Sequence, residues 1–167
     1  MNGKIIVLAM AAVATMAFAA GPPLASGEEE GEATRAEYVA SAEPICKQNV
    51  LANKRIFKGA KAEVKAGELE KASRHFFRAA TAFAATVRQL AALRQPAADA
   101  VRIERWLGLL RDETALIRRI GKALAAGNKH RAESLGVDLN RNSSRANNAV
   151  LSFGFDYCRI EPSRFSG

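Results

Sequence analysis

Apolar positions recur at helical spacing along nearly all of the chain beyond its N-terminal segment. Leu69, Ser73, Phe76, Ala80, Phe83, Val87 and Leu90 follow alternating steps of four and three, which keep one stripe of a helix turned toward a partner. Ile103, Trp106, Leu110, Glu113 or Thr114, Ile117, Ile120 and Leu124 repeat the period, with Leu107, Leu109 and Leu116 on adjoining faces. This segment is expected to be the most buried helix. Two flanking segments carry the same period with fewer bulky residues: Cys46, Val50, Asn53, Phe57, Ala60 and Val64 as one helix, and Ala132, Leu135, Leu139, Ser143, Ala146, Val150 and Phe153 as another.

Punctuation agrees with four helices. Ser41 is expected to cap the first long helix, with Pro44 tolerated in its opening turn, where the amides have no intrahelical acceptor. A short earlier turn is expected at Thr34, where Thr34-Arg35-Ala36-Glu37 has the form of a capping box. Gly67 and Gly127 each stand where a helix must leave right-handed geometry before the next begins, and Gln95-Pro96 separates the two resulting hairpins. Helices of about 23 to 30 residues joined by such tight turns predict an all-α fold, an antiparallel up-down-up-down four-helix bundle.

The N-terminus changes the compartment in which that bundle is expected to work. Lys4 is followed by an unbroken apolar and small-residue run from Ile5 to Ala20, then by Pro22-Pro23, the pattern of a secretory signal. Residues 1–26 are read as that signal, with cleavage after Ala19 or Ser26, and 27–37 as an acidic disordered linker. Residues 38–160 form the helical domain and 161–167 a tail. No transmembrane segment is expected after cleavage, and the protein is expected to be exported, to the cell envelope, periplasm or exterior. In such a compartment Cys46 and Cys158, the only cysteines, are expected to form one disulfide. In the up-down topology they fall at the same end of the bundle.

The segments Tyr38-x-x-x-Ala42-x-x-Ile45-Cys46 and Phe153-Gly154-Phe155-x-x-Cys158 resemble the two ends of small exported all-helical bacterial proteins whose two cysteines frame the domain. The resemblance spans roughly residues 38 to 158. It implies the helical fold and the disulfide, and no activity.

Candidate chemistry is sparse. His75 and His130 lack any Glu-x-x-His or His-x-x-x-His neighbour, and all three methionines lie in the signal segment. No metal, haem or other cofactor is therefore expected. Asp112-Glu113 and the acids at 68 and 70 lie among bases at helical spacing and are read as surface ion pairs, and His75 as an interface or surface residue. Ser143 and Ser144 have neither a nucleophile-elbow context nor a nearby histidine, so no enzyme is expected. The stretch Asn140 to Asn148 is polar for a bundle helix and is read as mostly exposed, the alternative being one face turned inward onto a small, wet core or a polar cleft.

Charge supplies the remaining clue. Six acids from Glu28 to Glu43 face a single base, Arg35, whereas from Pro44 onward 23 bases outnumber 11 acids. Arg102, Arg105, Arg111, Arg118, Arg119 and Lys122 are expected to give the third long helix a cationic surface able to attract anionic envelope lipid or polymer. Nucleic acid is disfavoured by export and by the absence of a readout motif. The leading expectation is thus a non-enzymatic binding module at the cell envelope. A carrier of a small apolar ligand in the bundle core, beside Phe76, Phe83 and Trp106, is the first alternative, and an unrecognised hydrolase the second.

Overall fold

The computed structural model describes residues 32–161. The expected signal, residues 27–31 of the acidic linker and the tail from residue 162 lie outside the described residues; the linker's last three residues, 35–37, expected to be disordered, are helical. Within them the chain forms five α-helices: α1 (Arg35–Ile56), α2 (Ala60–Lys65), α3 (Leu69–Ala91), α4 (Ala100–Ala125) and α5 (Lys129–Ala149). Single 3-10 turns at Ala97–Asp99 and Leu151–Phe153 lead into α4 and out of α5. Among the described residues no helix is long and apolar enough to cross a membrane.

The first helix departs from expectation at both ends. Its cap is Thr34, not Ser41: the Thr34 hydroxyl accepts from the Glu37 amide, and Glu37 Oε2 accepts from the Thr34 amide at 2.8 Å. This reciprocal box is strong enough to start α1 outright, and its bonds hold the Glu37 carboxyl below its ordinary range. Ser41 instead sits inside the helix, donating to the Glu37 carbonyl at 2.8 Å, and Pro44 stands well within it. At the other end, the single helix expected to reach Val64 breaks after Ile56. Gly59 adopts φ +88°, a left-handed conformation that side-chain-bearing residues rarely take, and α2 restarts from it.

That break is fastened to α3. The ring nitrogens of His75, which is buried, face the Ile56 carbonyl and, at 2.9 Å, Glu63 Oε2 on α2. Phe57, in the break, meets Phe76 edge to face at 5.1 Å between centroids. The histidine read as an interface or surface residue is therefore an interface residue joining three helices.

The turns at Gly67 and Gly127 behave as the sequence predicts, with φ of +78° and +70°. Beyond them, α3 packs along α4 and α4 along α5, while α1 and α2 pack on α3. Gly121 on α4 makes the first contact close: a Cβ there would meet the Phe77 ring and Phe76 Cβ at 3.1 to 3.2 Å. The main core gathers Tyr38, Phe83, Leu90, Ile103, Trp106, Leu107 and Leu110, and a second cluster around Ala72, Ile120, Leu124 and Leu135 fills the opposite pole. As expected, α4 is the most deeply buried helix.

After α5 the chain turns at Gly154 (φ +68°) and crosses to α1 as a strap. Phe153 and Phe155 stack at 5.4 Å, Phe155 stacks on Trp106 at the same distance, and Phe153 meets Tyr38 edge to face. Burial pushes the Tyr38 phenol up to about 12. Glu43 on α1 accepts from the amides of Asp156 (2.7 Å) and Tyr157 (2.9 Å), and the disulfide joins Cys46 to Cys158 across 112 residues of sequence. The strap then returns to α5, where the Asn147 amide exchanges two bonds with the backbone of Ile160. At the same pole Arg35 grips the buried Asp99 through two 2.7 Å bonds, which holds that carboxyl below the usual carboxylate range.

Candidate binding groove between the first and last helices

Each long helix makes an extended contact with a neighbour, yet α1 and α5 share none. The side chains facing that seam explain why it stays open. On α1 they are Cys46, Asn49, Val50 and Asn53, and on the α3 floor Ala79 and Thr86 stand among the larger residues. Small and amide groups at these positions leave unfilled the volume that leucine or phenylalanine would occupy in a close-packed bundle. The result is a groove of about 420 Å³, bounded at one pole by the strap and bordered at the other by α2. Its walls are Phe76, Phe83, Leu90, Trp106, Leu110 and Ile117, with Leu139 the contribution of α5.

Few polar groups interrupt this surface. Asn53 donates to Asn49 Oδ1 at 3.0 Å, but its own Oδ1, although buried, has no hydrogen-bond partner among the described residues. Trp106 is fully buried and its indole N–H is likewise without a partner. Both atoms carry the cost of a desolvated, unpaired polar group. Thr86 donates to the Ala82 carbonyl of its own helix. Three exposed cations stand at the rim, Lys61 and Lys65 on α2 and Arg159 on the strap.

One acid, Glu113, reaches the groove wall, and it corrects the expectation of surface ion pairing. It is 3 % exposed and accepts from Asn142 Nδ2 at 2.7 Å and from Ser143 Oγ at 2.5 Å. Burial pushes its carboxyl above the ordinary value, against the opposing pull of those two bonds. Asn142 also donates to the Leu109 carbonyl at 2.9 Å. One face of the polar stretch 140–148 is thus turned inward, with Asn142, Ser143 and Ala146 buried and Ser144, Arg145 and Asn148 exposed.

The six basic residues predicted on the third long helix are all exposed on α4, but they do not converge. Arg102 is tied to Asp99 and, at 3.0 Å, to Ser152, and Arg111 pairs with Glu104 at 2.8 Å. Arg119 borders a shallow depression whose rim mixes Asp112 and Asp138 with Arg141 and Arg145. Arg105, Arg118, Arg119 and Lys122 make no ion pair among the described residues. Arg111, Arg118 and Lys122 share a face by their spacing of seven and four.

Sequence reasoning singled out Phe76, Phe83 and Trp106 and missed the amides. Asn49 and Asn53, four residues apart on an otherwise apolar stripe, were the available signal. Among the described residues no cluster of three or more histidine, cysteine or carboxylate side chains is arranged to hold a metal ion. No family model, curated protein or solved structure matches the chain.

Proposed function

We propose that the protein is an exported, non-enzymatic helical module that binds a small apolar ligand in the groove between α1 and α5. The observation that carries this reading is the groove itself: about 420 Å³ lined mainly by apolar side chains, within the size range of small-molecule sites. The four long helices act as an up-down-up-down bundle whose closing contact, α1 against α5, is left ajar. Export is in keeping with the disulfide, which persists in oxidising compartments, and with the resemblance to small exported helical proteins.

Trp106, the chain's single tryptophan, lines the groove and makes binding directly observable. Titration with dodecanol, a neutral single-chain ligand, is expected to shift or quench its emission saturably. Ala79→Phe, which fills the floor, is expected to abolish that response while leaving the helical circular dichroism intact. A protein whose emission ignores dodecanol would end this reading.

A second reading rests on a different observation, the ion-pair-free Arg105, Arg118 and Lys122 on the outer surface of α4. It assigns to that surface the attraction of anionic envelope lipid or polymer. Co-sedimentation with anionic vesicles is then expected at low salt, to be lost at high salt and to weaken in Arg118→Gln/Lys122→Gln; no co-sedimentation at low salt would remove it.

A further inference from the structure

We propose that the groove's ligand is a single-chain amphiphile with an anionic head, carboxylate or phosphate, held by Lys61 and Lys65, with its tail running toward Trp106. The inference rests on the groove reading above and goes beyond it in naming charge and orientation.

Charge at the groove is one-sided. Lys61 and Lys65 stand one turn apart on α2, so both ammonium groups reach the same end of the cavity. The acid between them, Glu63, is turned to α3, where it lies 3.5 Å from Lys71 and 2.9 Å from His75. Neither groove lysine has an ion-pair partner among the described residues. Glu113, the acid in the wall, is spent on Asn142 and Ser143. A cationic end thus opens onto an apolar channel with no anion of its own to neutralise it.

Shape supplies the rest. From Cys46 to Phe57 the α1 wall alone runs about 16 Å at the helical rise, and the strap stops the channel beyond Trp106. An elongated apolar slot stopped at one end by the strap, with Arg159 alone there among the described residues and two lysines at the other end, suits an extended chain entering tail first. A bulky ligand would leave the slot unfilled, and an uncharged or cationic one would leave the lysines unmatched. The lysines also have long apolar stems that extend the wall up to the head group.

The test uses the disulfide-bonded protein and four probes with the same dodecyl tail, below their micelle concentrations, read by Trp106 emission and calorimetry. Laurate and dodecyl phosphate are expected to bind about tenfold more tightly than dodecanol, and dodecyltrimethylammonium more weakly than dodecanol. Lys61→Gln/Lys65→Gln, both exposed sites, is expected to remove that advantage, so that laurate and dodecyl phosphate bind the variant no more tightly than dodecanol binds the same variant. A preference for one anionic probe over the other identifies the head-group source and keeps the proposal. Equal binding of all four probes would overturn the anionic head while leaving an apolar-ligand groove, and no binding of any probe would remove the groove reading itself. Loss confined to Arg159→Gln, at the strap pole, would overturn the assigned orientation.

Discussion

Replacing Cys46 and Cys158 together by alanine is expected to lower folding stability by about 4 to 5 kcal/mol, the loop-entropy value for a crosslink closing so long a segment. The bond closes 112 residues, nearly the whole described fold. For a domain of this size the loss corresponds to a melting temperature lower on the order of 15 °C. The crosslink acts chiefly on the unfolded chain, so the denaturant m-value is expected to rise in the double variant as the freed chain exposes more surface. Urea titration of both proteins measures the two quantities together. A loss below about 1 kcal/mol would mean that the unfolded chain is already compact enough for the crosslink to restrict it little. The strap also stops the groove, so the double variant is expected to bind dodecyl ligands more weakly even where it remains folded.

Much of this architecture was readable in the residue order, for a physical reason. Helical periodicity is a local property, and the stripes through Leu69 to Leu90 and Ile103 to Leu124 became α3 and α4 close to their expected limits. Gly67 and Gly127 marked turns because few other residues adopt their conformation without strain. The break at Gly59 leaves no mark in the sequence because the apolar period runs through it from Phe57 to Ala60 and Val64; the tertiary contacts of Phe57 and His75 make the break favourable. Ser41 and Thr34 were both chemically suitable caps, and the reciprocal bond from Glu37 decided between them. The groove was legible only as an alternative. Aromatic residues at core spacing look the same whether the opposite wall touches them or stands away, and that difference lies in how closely α1 approaches α5. Glu113 looks like a surface acid because its neighbours in sequence are charged, whereas its neighbours in space are Asn142 and Ser143 on another helix.

Glu113→Ala is expected to destabilise the fold by about 2 to 4 kcal/mol, since it opens a cavity between α4 and α5 and removes the acceptor of two buried bonds. Glu113→Gln separates the carboxyl's charge from its bonding. Ser143 Oγ has one proton and two acceptors in reach, Glu113 Oε1 at 2.5 Å and the Leu139 carbonyl at 2.9 Å. A protonated Glu113 resolves the competition: its O–H donates to Ser143 Oγ, Ser143 donates to Leu139, and Asn142 still donates to the other carboxyl oxygen. Glutamine reproduces this pattern at every pH, with its amide N–H in place of the acid proton. Burial raises the Glu113 pKa in the folded state, so its contribution to stability is fully present below the unfolded value of about 4.3 and is lost as pH rises through the folded value. Unfolding midpoints in urea, followed from about pH 4 to about pH 8, are therefore expected to fall in the wild type relative to Glu113→Gln, with the variant equal or more stable at neutral pH. Parallel profiles for the two proteins would show that the buried carboxyl does not take up its proton within that range. A glutamine variant as unstable as the alanine one would show that the ionised carboxylate, not the neutral hydrogen-bonded acid, holds α4 to α5.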